Sequence, residues 1–158
     1  MPLGVGEKAP LFTLPASTGP DISLQDLAGK TVVLYFYPRD NTPGCTTGAC
    51  GFRDTYGVLK SLEVEVLGVS ADSLGAHRRF TETYHLPFPL LSDIDKAVAT
   101  AYGAWGEKRV RGRTIVGMNR MTFLIDATRT IEHIWPTVKA MGHAAEVLAA
   151  VQARTRMP

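Results

Sequence analysis

The hydrophobic pattern changes period several times along the chain. Thr31-Val32-Val33-Leu34-Tyr35-Phe36-Tyr37 is an uncharged run of β-branched and aromatic residues, which predicts a strand buried on both faces. Val64-Glu65-Val66-Leu67-Gly68-Val69-Ser70 predicts a second core strand. Between them Cys45, Ala49, Phe52, Tyr56 and Leu59 recur at helical spacing, so a helix is expected to about Lys60 with that stripe facing the sheet. Ser73 is a candidate cap for another helix carrying Leu74, His77, Phe80 and Tyr84, ending before Pro87. Upstream, Leu11-Phe12-Thr13-Leu14 and Ile22-Ser23-Leu24 flank Ser17-Thr18-Gly19-Pro20, the pattern of an N-terminal hairpin. Asp26 to Lys30 then turn the chain into the first core strand. Downstream the pattern predicts a short strand within 87–93 and a short helix over 95–102, stopped by Gly103. Strands follow at 121–125 and 130–135, and a final helix over 142–151 turns Val147, Leu148 and Val151 inward. The glycine-rich, basic stretch 105–117, with Lys108, Arg109, Arg111 and Arg113, reads as an exposed loop. This order of strands and helices argues for an α/β fold with a parallel or mixed sheet.

Both cysteines lie in Pro38-Arg39-Asp40-Asn41-Thr42-Pro43-Gly44-Cys45-Thr46-Thr47-Gly48-Ala49-Cys50, directly after the first core strand. Thr42 suits an N-cap and Pro43 the first helical position, which puts Cys45 in the first turn. Unpaired backbone N–H groups and the positive end of the helix dipole stabilise an anion there, so a reactive thiolate is expected. Cys50 does not share that face. An offset of five residues means about 140° of rotation and about 7.5 Å of rise, or roughly 8 to 9 Å between Cα atoms. Disulfide geometry rarely spans more than about 6.8 Å, so the pair cannot bridge until the first turns unwind. Gly48 and Gly51 bracket Cys50 and weaken the helix at that point.

Composition narrows the class. With 158 residues, 45% of them hydrophobic, the chain is expected to form one domain spanning 1–158. Net charge is +2, too balanced to point to nucleic acid or an anionic membrane. The first residues lack the apolar core of a signal peptide and no segment is apolar for a membrane span, so a cytoplasmic protein is expected. Two cysteines in one short segment suit redox chemistry better than disulfide stapling. The histidines His77, His85, His133 and His143 are scattered and read as surface or capping residues; with the two cysteines they do not make a four-ligand zinc site, so no metal or other cofactor is expected.

The segment Pro38-x-x-x-Thr42-x-x-Cys45, with a second cysteine five positions on, resembles the peroxiredoxin active site, more narrowly that of the bacterioferritin comigratory protein or peroxiredoxin Q branch. The similarity runs from Gly6-Glu7-Lys8-Ala9-Pro10 through Leu90-Leu91-Ser92-Asp93 and Gly103-Ala104-Trp105-Gly106-Glu107-Lys108 to Arg120-Met121-Thr122-Phe123-Leu124-Ile125-Asp126. The resemblance implies a thioredoxin-like fold, with a central mixed β-sheet flanked by helices and preceded by the hairpin. It implies a peroxidase in which Cys45 reduces hydrogen peroxide or an alkyl hydroperoxide and becomes a sulfenic acid. Cys50 would resolve that acid as an intramolecular disulfide, recycled by a thioredoxin-like dithiol. Thr42 would position the peroxide and Pro38 would shield the site from water. Spacing does not choose among the arginines; the resemblance points to Arg120 as stabiliser of the thiolate and the leaving oxygen. It also implies a monomer or weak homodimer, and the lack of a Gly-Gly-Leu-Gly segment and a C-terminal Tyr-Phe extension implies resistance to overoxidation.

Two other functions fit a reactive cysteine pair. A thiol–disulfide oxidoreductase would normally carry Cys-x-x-Cys, which the wider gap here opposes. A redox sensor or chaperone-like switch would need a partner surface, and nothing in the pattern marks one.

Overall fold

The computed structural model describes residues 3–139 and 141–155; Met1, Pro2, Ala140 and the last three residues, which the expected domain includes, lie outside them. The described chain runs β1 (Thr13–Ala16), β2 (Gly19–Ser23), β3 (Thr31–Phe36), α1 (Pro43–Ser61), β4 (Val64–Ser70), α2 (Leu74–Tyr84) and β5 (Leu90–Ser92). It continues through α3 (Ala97–Ala101), β6 (Trp105–Val110), β7 (Arg113–Met118), β8 (Met121–Ile125), β9 (Ile131–Trp135) and α4 (His143–Thr155). Seven strands form one mixed sheet in the order β2-β1-β5-β4-β3-β8-β9. In it β3 and β4 pair in parallel, as do β4 and β5, while β8 runs antiparallel to β3. Every residue of β3 is buried, as its unbroken apolar run requires of a strand with layers on both faces.

Side-chain alternation sorts β3 between two cores. Val33 and Tyr35, with Tyr37 beyond the strand, pack under Cys45, Ala49 and Phe52 of α1 and Ala144 and Val147 of α4. Val32, Leu34 and Phe36 point the other way, toward Ala99 of α3, Tyr102 and the N-terminal Ala9 and Phe12. The ends of the helices follow local chemistry. Ser73 Oγ accepts from the Ala76 N–H at 3.2 Å to cap α2, and His85 ends that helix in the left-handed region at φ 54°. The buried Asp93 carboxylate accepts from the Val98 and Ala99 amides at 3.3 and 2.8 Å, which closes the first turn of α3.

The sheet, the N-terminal hairpin and the four helices match the sequence pattern, with α4 running on to Thr155. The stretch 105–117 does not. It is an antiparallel ribbon, β6 paired with β7 from Trp105↔Met118 to Val110↔Arg113. Arg111 and Gly112, at φ 52° and 79°, make the two-residue turn that lets a hairpin twist correctly. An Arg-Gly turn lacks the usual Asn or Asp signal, and Ile115 and Val116 stay exposed, so the strands show no apolar alternation. Among the described residues no helix is long and apolar enough to cross a membrane.

Gly68 of β4 stands opposite Tyr35 in the ladder. A Cβ there would lie 2.8 Å from Tyr35 Cζ and Oη and 2.9 Å from Leu90 Cδ2. The Tyr35 ring is itself stacked on Phe52, with centroids 4.9 Å apart, and cannot step aside. Gly68→Ala is therefore expected to cost about 1–3 kcal/mol by overpacking, read as a lower midpoint in urea unfolding.

Candidate active site

From the end of β3 the chain passes through Tyr37 and Pro38, takes a left-handed step at Asn41 (φ 59°), and becomes helical at Pro43. Thr42 is the N-cap by backbone, since its carbonyl accepts from the Thr46 N–H at 2.8 Å. Its side chain does not cap the helix, contrary to the expectation for an N-cap threonine. The hydroxyl instead donates to the Arg39 carbonyl at 2.9 Å and ties the preceding loop. Cys45 falls in the first turn, 2% exposed, among amides that have no partner within the helix.

Cys45 borders a small cavity of about 20 Å³ that Tyr37, Phe52, Arg120, Thr122 and His143 also line. That volume admits about one water-sized group. Arg120 stands just before β8, and its guanidinium lies against the first turn of α1, because a Cβ added at Gly44 would come within 2.8 Å of its Nη2. Arg120 also borders an open depression of about 250 Å³ with Pro38, Lys108 and Pro136. The fold thus joins Cys45 to Arg120 in the cavity and Pro38 to Arg120 at its outer side. Cys50 lies elsewhere, half-buried in a groove with Met141, Gly142 and Ala145 near the start of α4, and both thiols are free.

Two of the histidines read as surface or capping residues are neither. His143 is 3% exposed and its Nε2 stands 2.8 Å from the Thr122 hydroxyl inside the Cys45 cavity. Its Nδ1 makes no hydrogen bond, with Glu146 Oε1 3.7 Å away. Burial pushes its pKa below 6.5, against the opposing pull of Glu146. His77 is fully buried, 2.6 Å from Asp40 Oδ2 and 2.9 Å from the Leu91 carbonyl. Sequence pattern could place these residues on helices but not show what lay opposite. His85 does cap α2, and His133 stacks on Trp135 at 4.0 Å between centroids. Asp40, Asp72 and His77 also converge within 4.8 Å, a grouping of metal-ligand type that no spacing in the sequence suggested. Burial holds the Tyr35 and Tyr37 hydroxyls well above their ordinary pKa, so both stay protonated beside this cluster and the cavity.

A buried cysteine in the first turn of the helix that leaves a central strand, faced by an arginine, defines a thioredoxin-like protein with a thiol centre. The chain belongs to the AhpC/TSA family, whose model matches residues 5–134. It is 52% identical over 148 residues to a putative peroxiredoxin bcp of Coxiella burnetii, covering 94% of this chain and 98% of that one. It is 46% identical over 147 residues to peroxiredoxin Bcp of Escherichia coli K12, covering 93% and 94%. Among solved structures, a PrxQ mutant from Xylella fastidiosa superposes with a TM-score of 0.91 at 34% identity over 98% of both chains. The bacterioferritin comigratory protein of Xanthomonas campestris, solved in work on its alkyl peroxide reduction activity, gives 0.87 at 36% identity over 92% of both.

The lowered pKa of His143 sets a sign for acid stability. On acidification the unfolded chain takes up this proton first, so the contribution is intact above pH 6.5, falls as pH drops through 6.5, and levels once the native state protonates. His143→Asn is expected to flatten the loss of unfolding free energy between about pH 7 and 5, measured by urea titrations against the parent protein.

Proposed function

We infer that the chain is a thiol-dependent peroxidase that uses Cys45 to reduce hydrogen peroxide or organic hydroperoxides in antioxidant defence. The observation that carries this reading is the Cys45 thiol, buried in a helix's first turn with the Arg120 guanidinium against that turn and room beside it for about one peroxide oxygen. The thiolate attacks the terminal peroxide oxygen; an S–O bond forms as the O–O bond breaks, and the sulfur becomes a sulfenic acid. The departing alkoxide takes up the proton that the thiol released and leaves as an alcohol, or as water from hydrogen peroxide. Arg120 stabilises the thiolate and the charge developing on the leaving oxygen. Pro38, at the outer side of Arg120, limits water, and Thr42 keeps the loop in place through Arg39 while its oxygen lone pairs stay free to accept from the peroxide.

Cys50 then attacks the sulfenic sulfur. The S–S bond forms and water leaves, a step that requires the first turns of α1 to unwind. A dithiol such as thioredoxin returns both thiols, and a cytoplasmic setting with its reduced thiol pool suits that cycle. The same cavity speaks against a dithiol oxidoreductase acting on protein disulfides, whose reactive sulfur must meet a protein partner directly; Cys45 is buried.

The test is thiol loss from the reduced protein on adding one equivalent of hydrogen peroxide, with intact mass and disulfide mapping. Rapid loss of both thiols with a Cys45–Cys50 linkage is expected. Cys45→Ser should abolish peroxide reduction, and a fully active variant would sink the reading. Cys50→Ser should stop at a Cys45 species heavier by one oxygen, without turnover by thioredoxin.

Arg120→Ala is expected to slow Cys45 oxidation about 100-fold or more. Gly44→Ala probes the same contact more gently, because its Cβ meets only the far end of the Arg120 side chain. Unfolding free energy should stay within about 0.5 kcal/mol of the parent while peroxide reduction falls about tenfold as the guanidinium is pushed aside.

A further inference from the structure

Asp40 sits in the loop that leads from β3 into α1, yet its side chain is only 5% exposed. Every hydrogen bond it makes runs away from α1. Its Oδ1 accepts from the Tyr37 hydroxyl at 2.5 Å, and its Oδ2 stands 2.6 Å from Nδ1 of His77 on α2. Its backbone N–H donates to Asp72 Oδ2 at 2.8 Å, and that oxygen also accepts from Ser70 Oγ at 2.6 Å. The other ring nitrogen of His77 faces the Leu91 carbonyl of β5 at 2.9 Å. A carbonyl only accepts, so Nε2 carries a hydrogen. The close Nδ1–Oδ2 contact must then hold one further proton, whether that proton resides on the imidazole or on the carboxyl. The pair is neutral as a unit, fully hydrogen-bonded and shielded from water, the condition under which buried polar groups hold a geometry.

We propose that the Asp40–His77 pair is a latch that positions Cys45: it holds the loop entering α1 so that the wound first turn is favoured over the unwound one. The loop's other side-chain fastenings are longer or more local: Asn41, in a left-handed conformation, accepts from the Tyr84 hydroxyl of α2 at 3.3 Å in an exposed contact, and the Thr42 hydroxyl donates to the neighbouring Arg39 carbonyl. Tyr37, which bonds Asp40, also borders the Cys45 cavity, so the latch and the cavity share a wall. Asp40 and His77 are positioning residues and touch no reacting atom. Their kinetic consequence rests on the peroxidase reading; their effect on the helix does not.

The experiment compares Asp40→Ala, Asp40→Asn and the parent protein by amide hydrogen exchange without peroxide, then by peroxide kinetics. Asparagine can donate to His77 Nδ1 while its oxygen accepts from Tyr37, so it keeps the bonds without the shared proton. In Asp40→Ala, exchange at residues 46–52 should quicken about tenfold while the α4 amides keep the parent rate; Asp40→Asn should restore the parent pattern. Sulfenic acid formation in Asp40→Ala should slow about tenfold, whereas the following disulfide closure should be as fast as in the parent or faster. Tyr37→Phe removes one bond only and should give a smaller split in the same direction, which keeps the test open if the alanine variant does not fold. Unchanged exchange at 46–52, equal acceleration throughout the protein, or an asparagine variant no better than alanine would overturn the latch. If the exchange result holds but the parent protein does not consume peroxide, the peroxidase reading fails and the latch stands.

Discussion

A strand covered on both faces has no freedom to tilt, and β3 must therefore deliver the chain to one fixed point at the edge of the sheet. The next regular element begins at Pro43, after a loop too short to wander. The unpaired amides of the first turn of α1 are thus held over that edge, with Cys45 among them and the aromatic face of Tyr35, Tyr37 and Phe52 beneath. Arg120 reaches the same turn because β8 lies next to β3 in the ladder, with Phe36 paired to Met121. The site is a consequence of strand order.

The glycines of α1 answer to opposing demands. Gly44 leaves room for the Arg120 guanidinium, and Gly51 allows α4 close, since a Cβ there would lie 3.2 Å from the Ala144 methyl. Both are packing requirements of the wound helix. Yet glycine also lowers the cost of unwinding, which the proposed disulfide step needs. The same residues that let the folded helix fit its neighbours make it the easier helix to open, so the balance has to be supplied from outside it. The Asp40 network, bonded to α2 and to the loop after β4 rather than to α1, is placed to supply it.

Burial also decides which polar groups can take part. His143 is held neutral beside Cys45, and the tyrosines that wall the cavity keep their protons. In such surroundings each fixed dipole acts with little screening by water. A neutral imidazole bonded to Thr122 leaves Arg120 as the charged group at the cavity, which concentrates the field where a thiolate and a leaving oxygen would sit.

Much of this is legible in the sequence. The strands β3 and β4, the cap at Ser73 and the placement of Cys45 at a helix start depend on residues that are neighbours in sequence, and local periodicity and capping chemistry report them directly. The separation of Cys45 and Cys50 followed from helix geometry alone. The choice of Arg120 needed the resemblance, because nothing local distinguishes one surface arginine from another. Only tertiary structure could show that His77 meets Asp40 across 37 positions and that His143 meets Thr122 across 21, since a histidine's role is set by what packs against it. The β6–β7 ribbon escaped for the converse reason: its pairing is local, but its apolar side chains face outward and its turn is Arg-Gly, so no pattern of burial was written into it.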